Sequence, residues 1–196
     1  RAYQRQMKRL FTIEASSINI GALLMLDLDN LKMINDKFGH EYGDLYIQKA
    51  ADMFRRLSPE GTIISRISGD EFNLFLYGYD SRTELREKID RFWRELSKSS
   101  ITMPNQQEIH ILVSGGIAWY PDDSRDFNTL QKYSDFAMYS VKHTLKGEIG
   151  DFSLQDYRND VYMMKRKAEL SRILEANAFT YYFQPIVSAV DGEVFA

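Results

Sequence analysis

The sequence predicts an α+β fold in which helices flank one mixed, largely antiparallel sheet. Residues 18–28 form a nearly continuous apolar run, which is typical of a central strand covered on both faces. Residues 62–77 have the pattern of two strands joined by a tight Ser-Gly turn. Charged segments with apolar residues three and four positions apart alternate with these strands, and this spacing indicates amphipathic helices.

In chain order, we predict a helix over residues 1–15, the strand 18–28, a short helix to residue 38, and a second helix from residues 43–44 to 57. The hairpin 62–77, a helix over 82–97, a strand over 109–120 and a helix over 127–145 follow. This order fits a ferredoxin-like βαββαβ core with strand 18–28 beside the hairpin. Gly115 and Gly116 indicate a bulge or a close backbone approach in the last strand. The buried side of helix 127–145 is predicted to carry Leu130, Tyr133, Phe136, Ala137, Tyr139 and Val141.

The end of the chain predicts a second unit. We expect one domain over residues 1–153, a charged linker helix over 154–178, and the start of another domain at 179–196. The last assignment depends on residues 179–187, which read as a new strand.

Composition bounds the function. Among 196 residues, 44% are apolar and 27% are charged, with a net charge of −3, as in an ordinary globular domain. This balance argues against a nucleic-acid-binding protein. The chain has no cysteine and no apolar run of the ~18–20 residues that cross a bilayer. We therefore expect a soluble, cytoplasmic domain, which is compatible with a membrane anchor elsewhere in a parent protein.

Two acidic clusters predict a cation site. Asp27 and Asp29 end the strand 18–28 on one face, and Asp70 with Glu71 stands at the hairpin tip. If the two strands are neighbours, these carboxylates converge and repel each other unless a cation lies between them, and oxygen ligands favour Mg²⁺. The alternative is that Asp29 or Asn30 only caps the following helix.

The surrounding residues resemble a known family. The pattern runs Asp27-x-Asp29-x-x-Lys32-x-x-Asn35-Asp36-x-x-Gly39-His40-x-x-Gly43-Asp44 and continues with Arg66-x-Ser68-Gly69-Asp70-Glu71-Phe72. It resembles the GGDEF domain of diguanylate cyclases over residues 1 to about 150, and that domain shares its architecture with nucleotidyl cyclases and polymerase palms. Residues 182–187 resemble the first strand of an EAL phosphodiesterase domain.

The resemblance implies a reaction and a metal. Two GTP molecules, held by two facing GGDEF subunits of a homodimer, would condense to cyclic di-GMP with loss of pyrophosphate. Asp27, the backbone carbonyl of Leu28 and Asp70 would ligate Mg²⁺ (or Mn²⁺). Asp70 and Glu71 are the candidates for the base, and Lys32 would stabilise negative charge on the phosphates.

The same resemblance implies the substrate contacts. Asp44 would accept both guanine donors, with Asn35 on the guanine edge and His40 nearby. Ser68 and Gly69 would lie at the α-phosphate. Lys142 and Lys146, predicted one helical turn apart, would contact the β- and γ-phosphates, and the alternative for this pair is plain solvation.

The sequence departs from the family pattern at several positions. Ser68 replaces the first glycine of the signature and would be strained if that position needs a positive φ. Lys146 replaces an arginine, and Asn30-Leu31 stands where the family often has an aromatic residue. The window of the family's product-binding motif, residues 59–62, contains neither arginine nor aspartate.

Three functions remain open at this point: an active cyclase, a silent GTP-binding module that regulates a downstream EAL domain, and a different nucleotidyl cyclase or polymerase-like enzyme. Asp44 with Asn35 argues against an adenine-specific enzyme of the third kind.

Overall fold

The structure is a computed structural model that describes residues 2–13, 18–176, 178, 180, 182, 184–186, 190 and 193–194. The chain divides into two compact units, residues 1–154 and 155–196. Within the described residues, every helix is too short or too polar to cross a membrane.

The helices and strands of the first unit follow the predicted order. They are α1 Ala2–Ile13, β1 Ile20–Leu28, α2 Leu31–Phe38, α3 His40–Leu57, β2 Ile63–Ser68, β3 Glu71–Tyr79, α4 Arg82–Ser97, β4 Ser100–Thr102, β5 Glu108–His110, β6 Val113–Tyr120, α5 Phe127–Thr144 and β7 Ile149–Asp151. A last helix, α6, spans Leu154–Glu175.

Five strands form one sheet in the order β2-β3-β1-β6-β7. β1 lies in the middle and pairs antiparallel with both β3 and β6, and β7 joins β6 in parallel. The order β6-β1-β3-β2 with two helical crossovers is the βαββαβ arrangement, so the predicted fold class is confirmed.

The alternation of β1 divides the core between the two faces of the sheet. Leu24, Leu26 and Leu28 belong to a cluster that includes buried residues of α3 and α4. On the opposite face, Leu23 belongs to a cluster that includes Met7 of α1 and residues of α5. Asp27 lies on this second face, the α5 face, because it follows Leu23 in alternation and is bonded from α5.

Gly116 brings α5 close to this sheet. A Cβ at Gly116 would overlap backbone atoms of Ser134 and Met138 on α5. The pairing of β1 with β6 runs without a register shift, so the predicted close approach is correct and the alternative of a bulge is not. The small residue therefore sets how near α5 lies to the strand ends.

Several predicted boundaries are wrong. α3 begins at His40 rather than near residues 43–44, because Gly39, with φ of 90°, ends α2 and starts α3 without a longer loop. The predicted strand 109–120 is two strands, since β5 pairs with β4 in a separate ribbon that the sequence did not predict. β7 was missed as well. Tyr139 is 58% exposed and does not lie on the buried side of α5.

α6 is a helix of 22 residues. None of its side chains between Leu154 and Glu175 is buried. One ion pair on its surface joins Arg166 Nη1 and Glu169 Oε2 at 3.7 Å. Residues 177, 179, 181, 183 and 187 lie outside the described residues, and the described positions 180, 182 and 184–186 belong to no strand. The domain boundaries at 153 and 178 and the EAL segment stay predictions.

We predict that Gly116→Ala lowers the free energy of unfolding by about 1–3 kcal/mol, because the new methyl group meets backbone that cannot rotate away. Chemical denaturation of both proteins measures the difference.

Gly150→Ala is the matched control. Its Cβ would meet the end of the Val141 side chain, and this side chain can shift at lower cost than backbone. Equal losses in the two variants would show that the spacing of α5 from the sheet does not depend on Gly116.

Candidate functional site

The two acidic clusters meet at one end of the sheet. Asp27 lies opposite Glu71 in the antiparallel pairing of β1 with β3. The backbone N–H of Leu28 donates to the carbonyl of Asp70 at 3.1 Å, which brings the hairpin turn to the end of β1. The structure therefore places Asp27, Leu28, Asp70 and Glu71 next to each other, as neighbouring strands require.

Lys142 of α5 neutralises part of this charge. Its Nζ donates to Asp27 Oδ1 at 2.6 Å, and the two side chains are 33% and 6% exposed. Burial raises the pKa of Asp27. The hydrogen bond from Lys142 lowers this pKa, whereas the negative charges of Asp70 and Asp29 raise it further. Burial alone would lower the pKa of Lys142, but the bond and charge of Asp27 outweigh it and raise that pKa. One ammonium thus faces several carboxylates.

The donor set suits a divalent cation. Asp27 and Asp70 contribute carboxylates and Leu28 a carbonyl, so all the ligands would be the hard oxygen atoms that Mg²⁺ prefers. Asp29 Oδ1 is buried nearby and has no hydrogen-bond partner among the residues that the structure describes. Among the described residues, no three His, Asp or Glu side chains form a metal-binding group, and the predicted set includes only two carboxylate side chains.

The serine in the signature is accommodated without backbone strain. Within the described residues, the positive φ in this turn belongs to Gly69, at 38°, and not to Ser68, so the strain considered for Ser68 is absent. Ser68 Oγ lies 2.7 Å from Glu71 Oε2 and donates to it. Arg66 Nε closes the turn by donating to the Gly69 carbonyl at 2.8 Å. The Ser68 hydroxyl therefore fills one acceptor position of the candidate base Glu71.

The predicted guanine contacts lie on α2 and α3. Gly43 packs so tightly on Asn35 that a Cβ at Gly43 would overlap the Asn35 amide, and Asp44 is the next residue. Asp44 and His40 are exposed to solvent. Because Gly39 is the N-cap of α3, Asp44 lies inside the helix and is not its cap.

The predicted phosphate contacts lie on separate elements. Lys32 is exposed in the first turn of α2. Lys142 lies on α5, whereas Lys146 follows the end of that helix at Thr144 and lies in a turn. The prediction that Lys142 and Lys146 share one helical face is therefore wrong, because α5 ends two residues before Lys146.

Two residues near the site were not among the predicted site residues. Ser114, fully buried on β6, donates to Asp29 Oδ2 at 2.8 Å. Asp135 of α5 has a pKa raised first by burial and then by the charge of Glu71. Little in the sequence indicates a role for Ser114, because a serine next to two glycines in a strand is expected to be a small packing residue.

Comparisons with known proteins agree with this architecture. The family model described as "Diguanylate cyclase, GGDEF domain" matches residues 1–148. The chain is 30% identical over 166 residues to the signaling protein YkoW of Bacillus subtilis, covering 83% of this chain and 20% of that protein. It is 31% identical over 175 residues to the "bifunctional diguanylate cyclase/cyclic di-GMP phosphodiesterase MucR" of Pseudomonas aeruginosa, covering 87% and 24%.

A solved structure matches as well. The GGDEF domain of PA1120 (YfiN or TpbB) from Pseudomonas aeruginosa superposes with a TM-score of 0.71 at 26% identity, covering 79% of this chain and 96% of that one. The chain spans about a fifth to a quarter of the length of the two curated relatives. The match to the family model covers most of the chain, and the chain therefore belongs to the GGDEF domain family.

Proposed function

We propose that this domain is a diguanylate cyclase that condenses two GTP molecules into cyclic di-GMP in a second-messenger signalling protein. The observation that carries the proposal is the junction of β1 with the hairpin, where Asp27, the Leu28 backbone and Asp70 meet beside Lys142. An exposed carboxylate, Asp44, is available for a guanine base on α3.

We assign metal binding to the acidic residues and phosphate binding to the lysines. Asp27, Asp70 and the Leu28 carbonyl would hold Mg²⁺, which when bound supplies charge neutralisation at the phosphates. Lys142 is already a partner of Asp27, so an arriving triphosphate can take over its ammonium while the cation takes over the carboxylate. Lys32 and Lys146 are exposed cations available for the same polyanion.

Glu71 is the proposed acceptor of the proton from the attacking 3′-hydroxyl. It lies opposite Asp27 in the pairing, and Ser68 donates to its carboxylate in this structure. A carboxylate can accept several hydrogen bonds, so the Ser68 contact orients Glu71 and leaves acceptor positions for the hydroxyl. Each subunit would supply one GTP, so the reaction needs a second GGDEF domain facing the first.

Guanine selection is assigned to Asp44 with Asn35, and His40 lies at the start of the same helix. Guanine presents two adjacent donors to a carboxylate, whereas adenine presents no such pair. The close packing of Gly43 on Asn35 restricts the position of the Asn35 amide.

Product identification tests this proposal. The chain at high concentration is incubated with GTP and Mg²⁺, and the products are separated and identified by mass, with Asp70→Asn as the inactive control. Cyclic di-GMP and pyrophosphate in a 1:2 ratio are expected from the native protein only. No product from a protein that binds GTP would contradict the cyclase assignment.

A second candidate is a silent GTP-binding module that regulates an EAL domain further along the parent protein. The contact of Ser68 with Glu71 favours it, since it engages the candidate base. MucR, one of the relatives, is named as a protein with both activities. GTP binding without cyclic di-GMP formation, unchanged by Ser68→Gly, would favour this module; recovery of synthesis by Ser68→Gly would assign the block to Ser68.

The first prediction from the site concerns Asp27. Asp27→Asn should abolish the metal-dependent part of GTP binding, because the remaining ligands carry too little charge. Stability should be unchanged or slightly higher, since burial makes the ionised Asp27 costly. Calorimetric titration with and without Mg²⁺, and thermal unfolding, measure the two effects.

Asp80→Asn is the control for Asp27→Asn, because Asp80 is an exposed carboxylate at the other end of β3. GTP affinity that is equally metal-dependent in the native protein and in Asp27→Asn would remove Asp27 from the site.

The second prediction concerns base selection. Asp44→Asn should weaken GTP binding by about 1–3 kcal/mol, because an amide places a donor against a guanine donor. Inosine triphosphate lacks the 2-amino group, so the same substitution should weaken its binding less. Competition binding of the two nucleotides measures the difference, with Glu41→Gln on the same helix as the control.

Equal losses for GTP and inosine triphosphate would mean that Asp44 does not contact the 2-amino group. An equal effect of Glu41→Gln would mean that general charge on α3, rather than a specific contact, holds the base.

The third prediction concerns product feedback. Residues 59–62 form a tight turn in which Thr62 Oγ1 donates to the Pro59 carbonyl at 2.7 Å, and this turn presents no arginine or aspartate. Arg55 is paired with Asp52, and Arg66 closes the hairpin turn. Calorimetry without GTP should therefore show no tight, saturable binding of cyclic di-GMP near residues 55–66.

The experiment has an internal comparison, since Arg55→Ala and Arg66→Ala should leave the heat of cyclic di-GMP addition unchanged. Tight binding that either substitution weakens would reveal a product site of another design.

A further inference from the structure

The turn that carries Lys146 is fixed by three hydrogen bonds. The Leu145 N–H donates to the Val141 carbonyl at 2.8 Å, which ends α5. The Gly115 N–H donates to the Glu148 carbonyl at 2.9 Å, which starts the pairing with β7. Between them, the Gly147 N–H donates to Ser114 Oγ at 3.3 Å, and this is the bond of the three that uses a side chain.

Ser114 is oriented to accept this bond because its own hydroxyl hydrogen is directed to Asp29. A hydroxyl has one hydrogen to donate, and Ser114 donates it to Asp29 Oδ2 at 2.8 Å. The serine oxygen then turns its lone pairs toward the Gly147 N–H. Donation to a carboxylate also polarises the hydroxyl, which makes its oxygen a better acceptor. Ser114 is fully buried, so water does not compete.

These two hydrogen bonds connect the end of β1 to the turn that contains Lys146. Asp29 lies two residues after Asp27, and Ser114 lies opposite Asp27 in the pairing of β1 with β6. The backbone at Asp29 is itself fixed, because its N–H donates to the Leu112 carbonyl at 3.0 Å. Gly147, with φ of 85°, also packs against the Leu112 side chain.

The two phosphate-site lysines therefore have independent supports. Lys142 is held from α5 by its bond to Asp27. Lys146 lies outside that helix, in a turn whose Gly147 N–H donates to Ser114, which in turn donates to Asp29. A disturbance of Ser114 would move the Lys146 turn without breaking the contact between Asp27 and Lys142.

We propose, on the basis of the function proposed above, that Asp29 and Ser114 are positioning residues that hold the Lys146 turn and so set the preference for a triphosphate over shorter guanine nucleotides. They act through the turn and touch no substrate. The predicted guanine contacts lie on α2 and α3, and the hydrogen bond between Lys142 and Asp27 includes neither Asp29 nor Ser114.

The test compares Ser114→Ala with Ser134→Ala. Both serines are fully buried, but Ser134 Oγ donates to the Gln131 carbonyl of its own helix, at 3.0 Å. NMR hydrogen exchange is measured on the nucleotide-free chain. Calorimetry measures affinity for the α,β-methylene analogue of GTP, which cannot condense, and for GMP, both with Mg²⁺.

Ser114→Ala should speed hydrogen exchange at the Gly147 amide. It should also weaken binding of the GTP analogue about tenfold, as the loss of one buried hydrogen bond predicts, while the affinity for GMP stays unchanged. Ser134→Ala should change neither measurement. Asp29→Asn keeps an acceptor for Ser114 and should retain more of the preference for the triphosphate than Asp29→Ala.

Unchanged exchange at Gly147, an equal loss for the analogue and GMP, or Asp29→Asn no better than Asp29→Ala would each overturn the assignment. If the native chain binds both nucleotides and Ser114→Ala loses both equally, this assignment fails alone. If the native chain binds neither, the proposed function fails with it.

Discussion

The site depends on the antiparallel pairing of β1 with β3. That pairing puts Asp27 opposite Glu71 and ends with the bond from the Leu28 N–H to the Asp70 carbonyl. Acids from two distant parts of the chain are thereby held together at the end of a strand that is otherwise buried. Their mutual repulsion is the cost of this arrangement, and the Lys142 ammonium bonded to Asp27 offsets part of it.

Packing and electrostatics are coupled through α5. The helix lies close to the sheet because Gly116 has no side chain, and the same closeness lets Lys142 reach Asp27. The ammonium at this position offsets part of the negative charge of the carboxylates. It also means that metal and phosphate would be expected to bind together, since each takes over one member of the ion pair.

The predictable part of the fold comes from strong patterns. β1 is apolar at consecutive positions, the β2–β3 hairpin contains a turn dipeptide, and α4 buries Leu85, Ile89, Phe92 and Leu96 at helical spacing. Where patterns are short, the prediction fails. β4, β5 and β7 have three residues each, too few to show alternation, and their strand character comes from their partners.

The candidate site could be predicted where a sequence motif identifies the residues. It could not be predicted where the position of a residue depends on the local backbone conformation. The convergence of Asp27 and Asp70 followed from neighbouring strands. Lys146 was misplaced because a spacing of four residues fits a helix, but α5 ends when Leu145 adopts an extended conformation, with φ of −149°. The conformation of the Ser68 turn was likewise not readable, since the φ of a residue depends on the hairpin around it.

A crystal structure of the chain with Mn²⁺ and the α,β-methylene analogue of GTP tests the central claim most directly, because Mn²⁺ can be located by its anomalous scattering. The account predicts the ion on Asp27, Asp70 and the Leu28 carbonyl, with Lys142 released from Asp27 toward the phosphates. An ion bound elsewhere, or a nucleotide bound while the Asp27–Lys142 pair stays intact and free of metal, would contradict it.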